Sequence, residues 1–273
     1  MSADRVKIEI EDHVALVTMV RSDKHNALDG EMFLAVAGAA ERLADEPGVR
    51  AVVLHGEGPS FCSGIDVGWL AGEAANFADE FRKRDEFGAN LFQRVATAWL
   101  EVPVPVIAAI HGNCLGGGLQ IALGADIRLS AADAKLSVRE VHWGLVPDMG
   151  ITATLPRLLP LDVAKELTFT GRVVSGEEGA KLGLVTRVES DPLAAAKELA
   201  AEIAGRSPDA VRAAKRLYEH SWHEGGREAL ELESELQFGL IGSPNQMAAV
   251  IAGVNKQPGE FTDPEPGSRG ASR

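Results

Sequence analysis

Cysteine is scarce in this chain of 273 residues: Cys62 and Cys114 are its only two. That is too few for a disulfide scaffold or, by themselves, for a cysteine-based zinc site, and both are expected to stay reduced. Long apolar runs are lacking too. No stretch approaches the roughly 18 residues of a membrane-spanning helix, and Met1-Ser2-Ala3-Asp4-Arg5 has no apolar signal-like core. The expectation is a cytoplasmic protein with no membrane partner. Positive charge is in deficit, with 27 Lys and Arg against 40 Asp and Glu, a formal net charge of −13. Such a field repels nucleic-acid phosphates, so no nucleic-acid partner is expected. A few local cations and backbone N–H groups can still hold a small anion.

Several catalytic signatures are missing. No glycine run is followed by Lys-Ser or Lys-Thr, and the dinucleotide spacing G-x-G-x-x-G is absent after Gly116, which counts against ATP and NAD sites. Ser63, Ser130 and Ser137 lie outside any G-x-S-x-G elbow. No His, Cys and Asp cluster has metal-ligand spacing, so no metal is expected.

What remains is a globular composition, 45% apolar and 25% charged. The segment Val6 to Val20 alternates with period two and breaks at Glu11-Asp12-His13, which predicts a hairpin. Asp29 precedes a helical pattern to Leu43, and Ala51-Val52-Val53-Leu54 reads as a buried strand. The spacing predicts one long helix from about Ala74 to Leu100, ended by Pro103 and Pro105. Strands follow at Val106–Ile110, Ile127–Leu129 and Lys135–Val138, with a glycine turn and helix start between them. Beyond Ile151 the candidates are helical: 152–159, 161–170, 176–182, 193–204, 208–219 and 226–241. Alternating strand, turn and helix predict an α/β fold with a helical C-terminal part. The expected division is a core over 1–200, a helical region over 201–261 and a frayed tail over 262–273.

Three segments carry chemistry. In the first, an apolar strand from Ile107 runs through His111-Gly112-Asn113-Cys114-Leu115 into Gly116-Gly117-Gly118 and a helix. Unpaired N–H groups at such a helix start can bind a developing oxyanion, although the pattern equally suits a tight turn with close packing. The second, Phe61-Cys62-Ser63-Gly64-Ile65-Asp66-Val67, also follows a strand and could supply a second donor or be a plain loop. The third, Glu140 to Gly150, sets Glu140 and Asp148 among apolar residues, where carboxyl pKa values can rise into the range useful for proton transfer. Alternatively Asp148 caps the next helix and Glu140 pairs with Arg139. His111 and His142 read as hydrogen-bonded core residues, and Cys62 has no sequence partner that would make it a nucleophile.

Together with Lys24-His25-Asn26-Ala27-Leu28, these segments occur in the order of the crotonase (enoyl-CoA hydratase/isomerase) superfamily. The chain resembles that family over about residues 5–261, and Glu140 through Gly150 is most similar to its dienoyl-CoA isomerase subgroup. The resemblance implies a crotonase-like α/β fold of repeated β-β-α units with a C-terminal helical trimerisation region. It implies an acyl-CoA thioester substrate, with coenzyme A arriving as part of that substrate rather than as a bound cofactor, and a homotrimer or dimer of trimers. The backbone N–H groups of Ile65 and Gly117 would form the oxyanion hole. Ala27, Leu28, Ser63, Gly64, Asp66, Gly116 and Trp143 would line the substrate site. Arg21, Lys24 and Lys256 are candidate partners for the coenzyme A phosphates, with ordinary surface cations as the alternative reading.

In that family two glutamates mark hydratases, whereas this chain has Gln120 and Glu140. Glutamine cannot ionise, so it can orient water but cannot serve as its base. With Asp148 as base and Glu140 as acid, the resemblance favours an isomerase that moves double bonds in an unsaturated acyl thioester. Glu140 alone could serve a simpler 1,3 shift. An enoyl-CoA hydratase is the alternative, and a non-catalytic acyl-CoA-binding protein is the alternative of another class.

Overall fold

The computed structural model describes residues 5–73, 79–80, 82–222 and 226–264. In chain order the strands are β1 (Val6–Glu11), β2 (Val14–Met19), β3 (Ala51–Gly56), β4 (Val106–Ile110), β5 (Asn113–Leu115), β6 (Ile127–Ser130), β7 (Lys135–Ser137), β8 (Val174–Ser175) and β9 (Arg187–Val188). The helices are α1 (Gly30–Ala44), α2 (Val67–Gly72), α3 (Leu91–Glu101), α4 (Gly117–Leu123), α5 (Ile151–Thr154), α6 (Leu161–Thr170), α7 (Gly176–Leu182), α8 (Pro192–Ala204), α9 (Pro208–Ser221), α10 (Gly226–Leu240) and α11 (Pro244–Asn255).

A hairpin begins the main sheet. β1 and β2 pair antiparallel from Val6↔Met19 to Glu11↔Val14. Asp12 and His13 both take positive φ, 46° and 67°, as a two-residue hairpin turn requires. From β2 onward the sheet is parallel, in the order β1-β2-β3-β4-β6-β9. The apolar runs of β3 and β4 follow from burial on both faces. Val52, Leu54, Val106, Ala108 and Ile110 join the core shared with α1 and α3. Ala51, Val53, Ile107, Ala109 and Leu129 pack with Ala196 and Ala200 of α8. A smaller sheet, ordered β5-β7-β8, stands beside the first, and an isolated bridge between Cys62 and Cys114 connects its edge to the loop after β3.

Asp29 caps α1 by accepting from the Met32 N–H at 2.9 Å. The expected helix over 74–100 is shorter. Residues 74–78 and 81 lie outside the described residues, and the described part before Asn90 is turn and loop. The Asp85 carboxylate accepts from the Phe87 and Ala89 N–H groups, closing a turn around Gly88 at φ 82°. Asn90 then starts α3 in a reciprocal capping box with Gln93. Charged helix formers could not override these local stops. Sequence patterning also overlooked α11 and the short strands β5, β8 and β9, each too short or too plain in pattern to declare itself.

α8 runs across residue 200 and packs on the sheet, so the core extends to Ala204. Thr262 and Asp263 are not frayed: the Thr262 N–H donates to Asn245 at 2.9 Å, and Arg50 holds Asp263 at 2.6 Å. Residues 265–273 lie outside the described residues. α9 is tied to the sheet by Lys215, whose Nζ donates to Trp99 O, Val104 O and Asp126 Oδ2 at 3.2, 3.1 and 2.7 Å. No helix among the described residues is long and apolar enough to cross a membrane.

Candidate active site

Two glycine-bearing loops converge at the C-terminal ends of the parallel strands. The loop after β3 is held from below by Leu28, whose N–H donates to Gly64 O at 2.8 Å and whose carbonyl accepts from Asp66 N at 2.9 Å. Leu28 therefore bonds the residues on either side of Ile65, as a parallel bridge does, and the Ile65 N–H points the other way. On that other side lies the start of α4. A Cβ built on Gly64 would be 3.6 Å from the Gly117 nitrogen. Gly117 opens α4, where its N–H precedes the first intrahelical bond, and the first bond back is Gln120 N to Gly116 O at 3.1 Å. Among the described residues neither amide has a protein acceptor. The glycines follow from this approach: Gly64 at φ 87° would drive a Cβ to 2.6 Å from Leu115 O, and Gly116 takes φ 53°.

Leu28 and Met149 wall this point, since a Cβ on Gly117 would meet Leu28 Cδ1 at 2.8 Å and Met149 Sδ at 2.6 Å. Glu140, on a 3-10 turn over Glu140–Trp143, lies beside it: its Oε1 would be 3.3 Å from a Cβ on Gly116. Buried Gln120 donates from Nε2 to Glu140 Oε1 at 2.6 Å and accepts the Met149 N–H on its Oε1 at 2.9 Å. Glu140 Oε2 is buried with no protein partner among the described residues. Burial, reinforced by the charge of Asp148, pushes the Glu140 carboxyl above the ordinary range against the opposing pull of its own backbone N–H, the Gln120 hydrogen bond and the Arg139 N–H. Asp148 presents an exposed residue surface, yet crowding around its carboxyl desolvates it enough to push it up as well. Asp148 does not cap α5, whose N-cap is Gly150 without a side-chain bond, and Arg139 turns to Gly171 O at 3.2 Å instead of pairing with Glu140.

The first loop frames the other wall. Asn26 is fully buried: its Nδ2 donates to Glu57, Ser60 and Phe61 carbonyls, and its Oδ1 accepts from the Arg21 N–H at 2.9 Å. Ala27 is buried behind it, and Ser63 bonds back to Lys24 O at 3.4 Å. A cavity of about 490 Å³ opens beside this loop, lined by Arg21, Lys24, Asp29, Asp66, Trp69 and Glu73 among others. Arg21 is not a free cation there. Its guanidinium binds Asp66 at 2.8 Å, Asp29 at 3.3 Å and Ala27 O at 2.9 Å, and with the backbone bonds at Asp66 this holds that carboxyl below its usual value. Lys24 is exposed at the rim with no ion pair among the described residues.

The structure thus brings together Gln120, Glu140, Gly116, Gly117, Gly64, Ile65, Leu28 and, through its charge, Asp148. Trp143 follows Glu140 on the same turn but is 50% exposed, with its ring edge-on to His142 at 5.5 Å. His142 is exposed rather than part of the core, whereas His111 is half-buried and bonded to Gly58 O. Lys256 ends α11 in a left-handed conformation, and no contact among the described residues links it to the pocket. Cys62 is sealed in the core with its thiol donating to Asn26 O, and burial pushes that thiol up to about 12, which removes it as a nucleophile. Met149 and Asn26 are the site residues that sequence reasoning passed over. An apolar residue next to a candidate acid and an asparagine inside a quoted motif were the available signals. No group of three or more His, Cys, Asp or Glu among the described residues could hold a metal ion.

Residues 9–264 match the family model described as Enoyl-CoA hydratase/isomerase. The chain is 32% identical over 260 residues to the short-chain-enoyl-CoA hydratase of Clostridium acetobutylicum, covering 94% of this chain and 97% of that one. It is 31% identical over 253 residues to the mitochondrial Delta(3,5)-Delta(2,4)-dienoyl-CoA isomerase of Mus musculus, covering 90% and 77%. Among solved structures, the enoyl-CoA hydratase of Bacillus anthracis superposes with a TM-score of 0.85 at 28% identity, covering 94% of this chain and 98% of that one.

Proposed function

Because this chain belongs to the enoyl-CoA hydratase/isomerase family, we propose that it is an isomerase that shifts double bonds in an unsaturated acyl-CoA thioester. The observation that carries the reading is Gln120 beside Glu140. Water addition to a 2-enoyl thioester is marked in this family by two glutamates, and with an amide at Gln120 only Glu140 of that pair can take a proton. Proton transfer along an acyl chain needs only groups that take and return a proton next to a stabilised enolate.

The Ile65 and Gly117 amides would hold the thioester oxygen as it gains charge, a contribution that typically amounts to a few kcal/mol per donor. Asp148, nearer solvent, suits the base that removes the proton beside the carbonyl. The C–H electron pair enters the π system, giving a conjugated enolate with its charge on the held oxygen. Glu140, more deeply buried and pushed toward its neutral form, suits the acid that returns a proton further along the chain. For a 3-enoyl substrate Glu140 alone could take and return one proton. Lys24 is the cation best exposed to meet coenzyme A phosphates. Exposed apolar residues on the C-terminal helices, such as Phe238 (85%) and Val254 (76%), support self-association as a homotrimer or dimer of trimers.

The test is turnover of a 3,5-dienoyl-CoA, a 3-enoyl-CoA and a 2-enoyl-CoA side by side. Isomerisation of the first or second is expected. Vigorous hydration of the third with no isomerisation would make the protein a hydratase, and binding without any turnover would make it an acyl-CoA-binding protein.

A further inference from the structure

We propose that Gln120 is a positioning residue that confines proton exchange on Glu140 to a single oxygen, Oε2, and locks the turn carrying Asp148 against it. The inference rests on the isomerase reading for its role in turnover, but its geometry stands on two hydrogen bonds and one unpartnered oxygen. The Met149 backbone N–H can only donate, so the Gln120 atom 2.9 Å from it is the amide oxygen. This fixes the amide orientation that a glutamine otherwise leaves open. Gln120 Nε2 must then face Glu140 Oε1 at 2.6 Å. An amide NH₂ donates and does not accept, so Oε1 is an acceptor in both protonation states of Glu140. A carbonyl oxygen accepts more strongly than a hydroxyl oxygen, so this bond favours a proton on the other oxygen.

When Glu140 is neutral its proton therefore sits on Oε2, the buried oxygen with no protein partner among the described residues. In the forward step the Oε2–H proton passes to the distal carbon of the conjugated enolate. A π pair of that enolate forms the new C–H bond, the O–H pair stays on Oε2, and Oε1 keeps its bond to Gln120. Asp148, protonated in the first half, and Glu140, ionised in the second, reset by exchange with water. Through Met149 the same glutamine ties the segment after Asp148 to α4, so one side chain sets the relative placement of both acids.

Among the described residues the charged surroundings of Glu140 are few. Asp148 acts on it through space, and Arg139 on its own turn faces Gly171 O. On α6, which packs against that turn, Glu166 is paired with Arg172. Gln120 is the group on α4 that favours the ionised form by hydrogen bonding.

The experiment uses Gln120→Leu and Gln120→Glu in the full chain, with ¹³C-carboxyl NMR titration of Glu140 assigned through Glu140→Gln. In Gln120→Leu the Glu140 midpoint should rise, because a donor to the carboxylate is gone. Its kcat for the double-bond shift should fall about 100-fold with KM within about threefold, the pattern of lost alignment rather than lost binding. In Gln120→Glu the new carboxyl can replace the amide only while protonated, so activity should approach the parent's at low pH and collapse as pH rises. An unmoved Glu140 midpoint in Gln120→Leu overturns the proposal whether or not the enzyme turns over a dienoyl thioester. So does a Gln120→Glu pH profile parallel to the parent's. If Gln120→Leu does not fold, the Gln120→Glu titration and profile decide alone. A parent that isomerises nothing while its Glu140 midpoint responds to Gln120 would sink the isomerase reading and leave the positioning role intact.

Discussion

Gly64 faces the amide of Gly117 so closely that a methyl group on Gly64 would lie 3.6 Å from that nitrogen and 2.6 Å from Leu115 O. The oxyanion donors of the proposed reaction would thus be backbone atoms placed by the absence of a side chain. Gly64→Ala should lower kcat/KM at least about 100-fold, the scale of losing one such donor, while Ile65→Val keeps activity within about tenfold because its N–H is untouched. Steady-state kinetics on an unsaturated acyl-CoA checks both. Equal losses in the two variants would mean that the Ile65 side chain matters rather than its amide.

Glu140 carries a stability signature of its own. Burial raises its folded-state pKa, so its contribution to stability is fully present below the ordinary glutamate value and is lost as pH rises through the raised one. Glu140→Gln should therefore gain stability over the parent at pH 7.5 and show little difference at pH 4, read from urea midpoints. The same variant should lose about 100-fold or more in kcat, as expected for removal of a general acid or base.

Cys62 and Cys114 should resist thiol reagents in the native protein at pH 8 and react fully in denaturant, since both are buried and burial raises both thiols. Cys62→Ala should keep near-parent kcat at a modest cost in Tm, having lost a buried contact and the bond to Asn26 O. Abolished turnover in a folded Cys62→Ala protein would restore the thiol as a candidate nucleophile.

Arg21 and Lys24 should separate cleanly. Arg21→Ala removes one cation from the buried carboxylate of Asp29, which keeps Arg5 at 2.7 Å, and the paired cation from the part-buried Asp66, and should cost about 2 kcal/mol of folding stability. Lys24→Glu should leave stability unchanged and raise KM for coenzyme A thioesters more steeply at low salt than at high. Unchanged KM at every salt concentration would remove Lys24 from the substrate site.

Much of this was legible in the chain. The hairpin at Asp12-His13, the Asp29 cap and the apolar runs of β3 and β4 are written in local chemistry, because each depends on residues a few positions apart. The two glycine loops and the acids were visible as motifs for the same reason. What the chain alone misread was governed by competition or distance. A helix across Ala74–Leu100 gave way to the Asp85 turn and the Asn90 cap, and Arg21 was drawn into ion pairs with residues 8 and 45 positions away.

Residue order alone determined which groups exist: two amides beside glycines, one glutamate, one aspartate, and a glutamine where a second acid could have stood. Only the folded chain decided that the two amides share one side of a loop crossing, that Met149 orients Gln120, and that among the described residues a single oxygen of Glu140 is left without a partner. The physical reason is that hydrogen-bond direction and desolvation depend on which atoms meet in space, and residues 65, 117, 120, 140 and 149 meet only after the parallel strands have stacked.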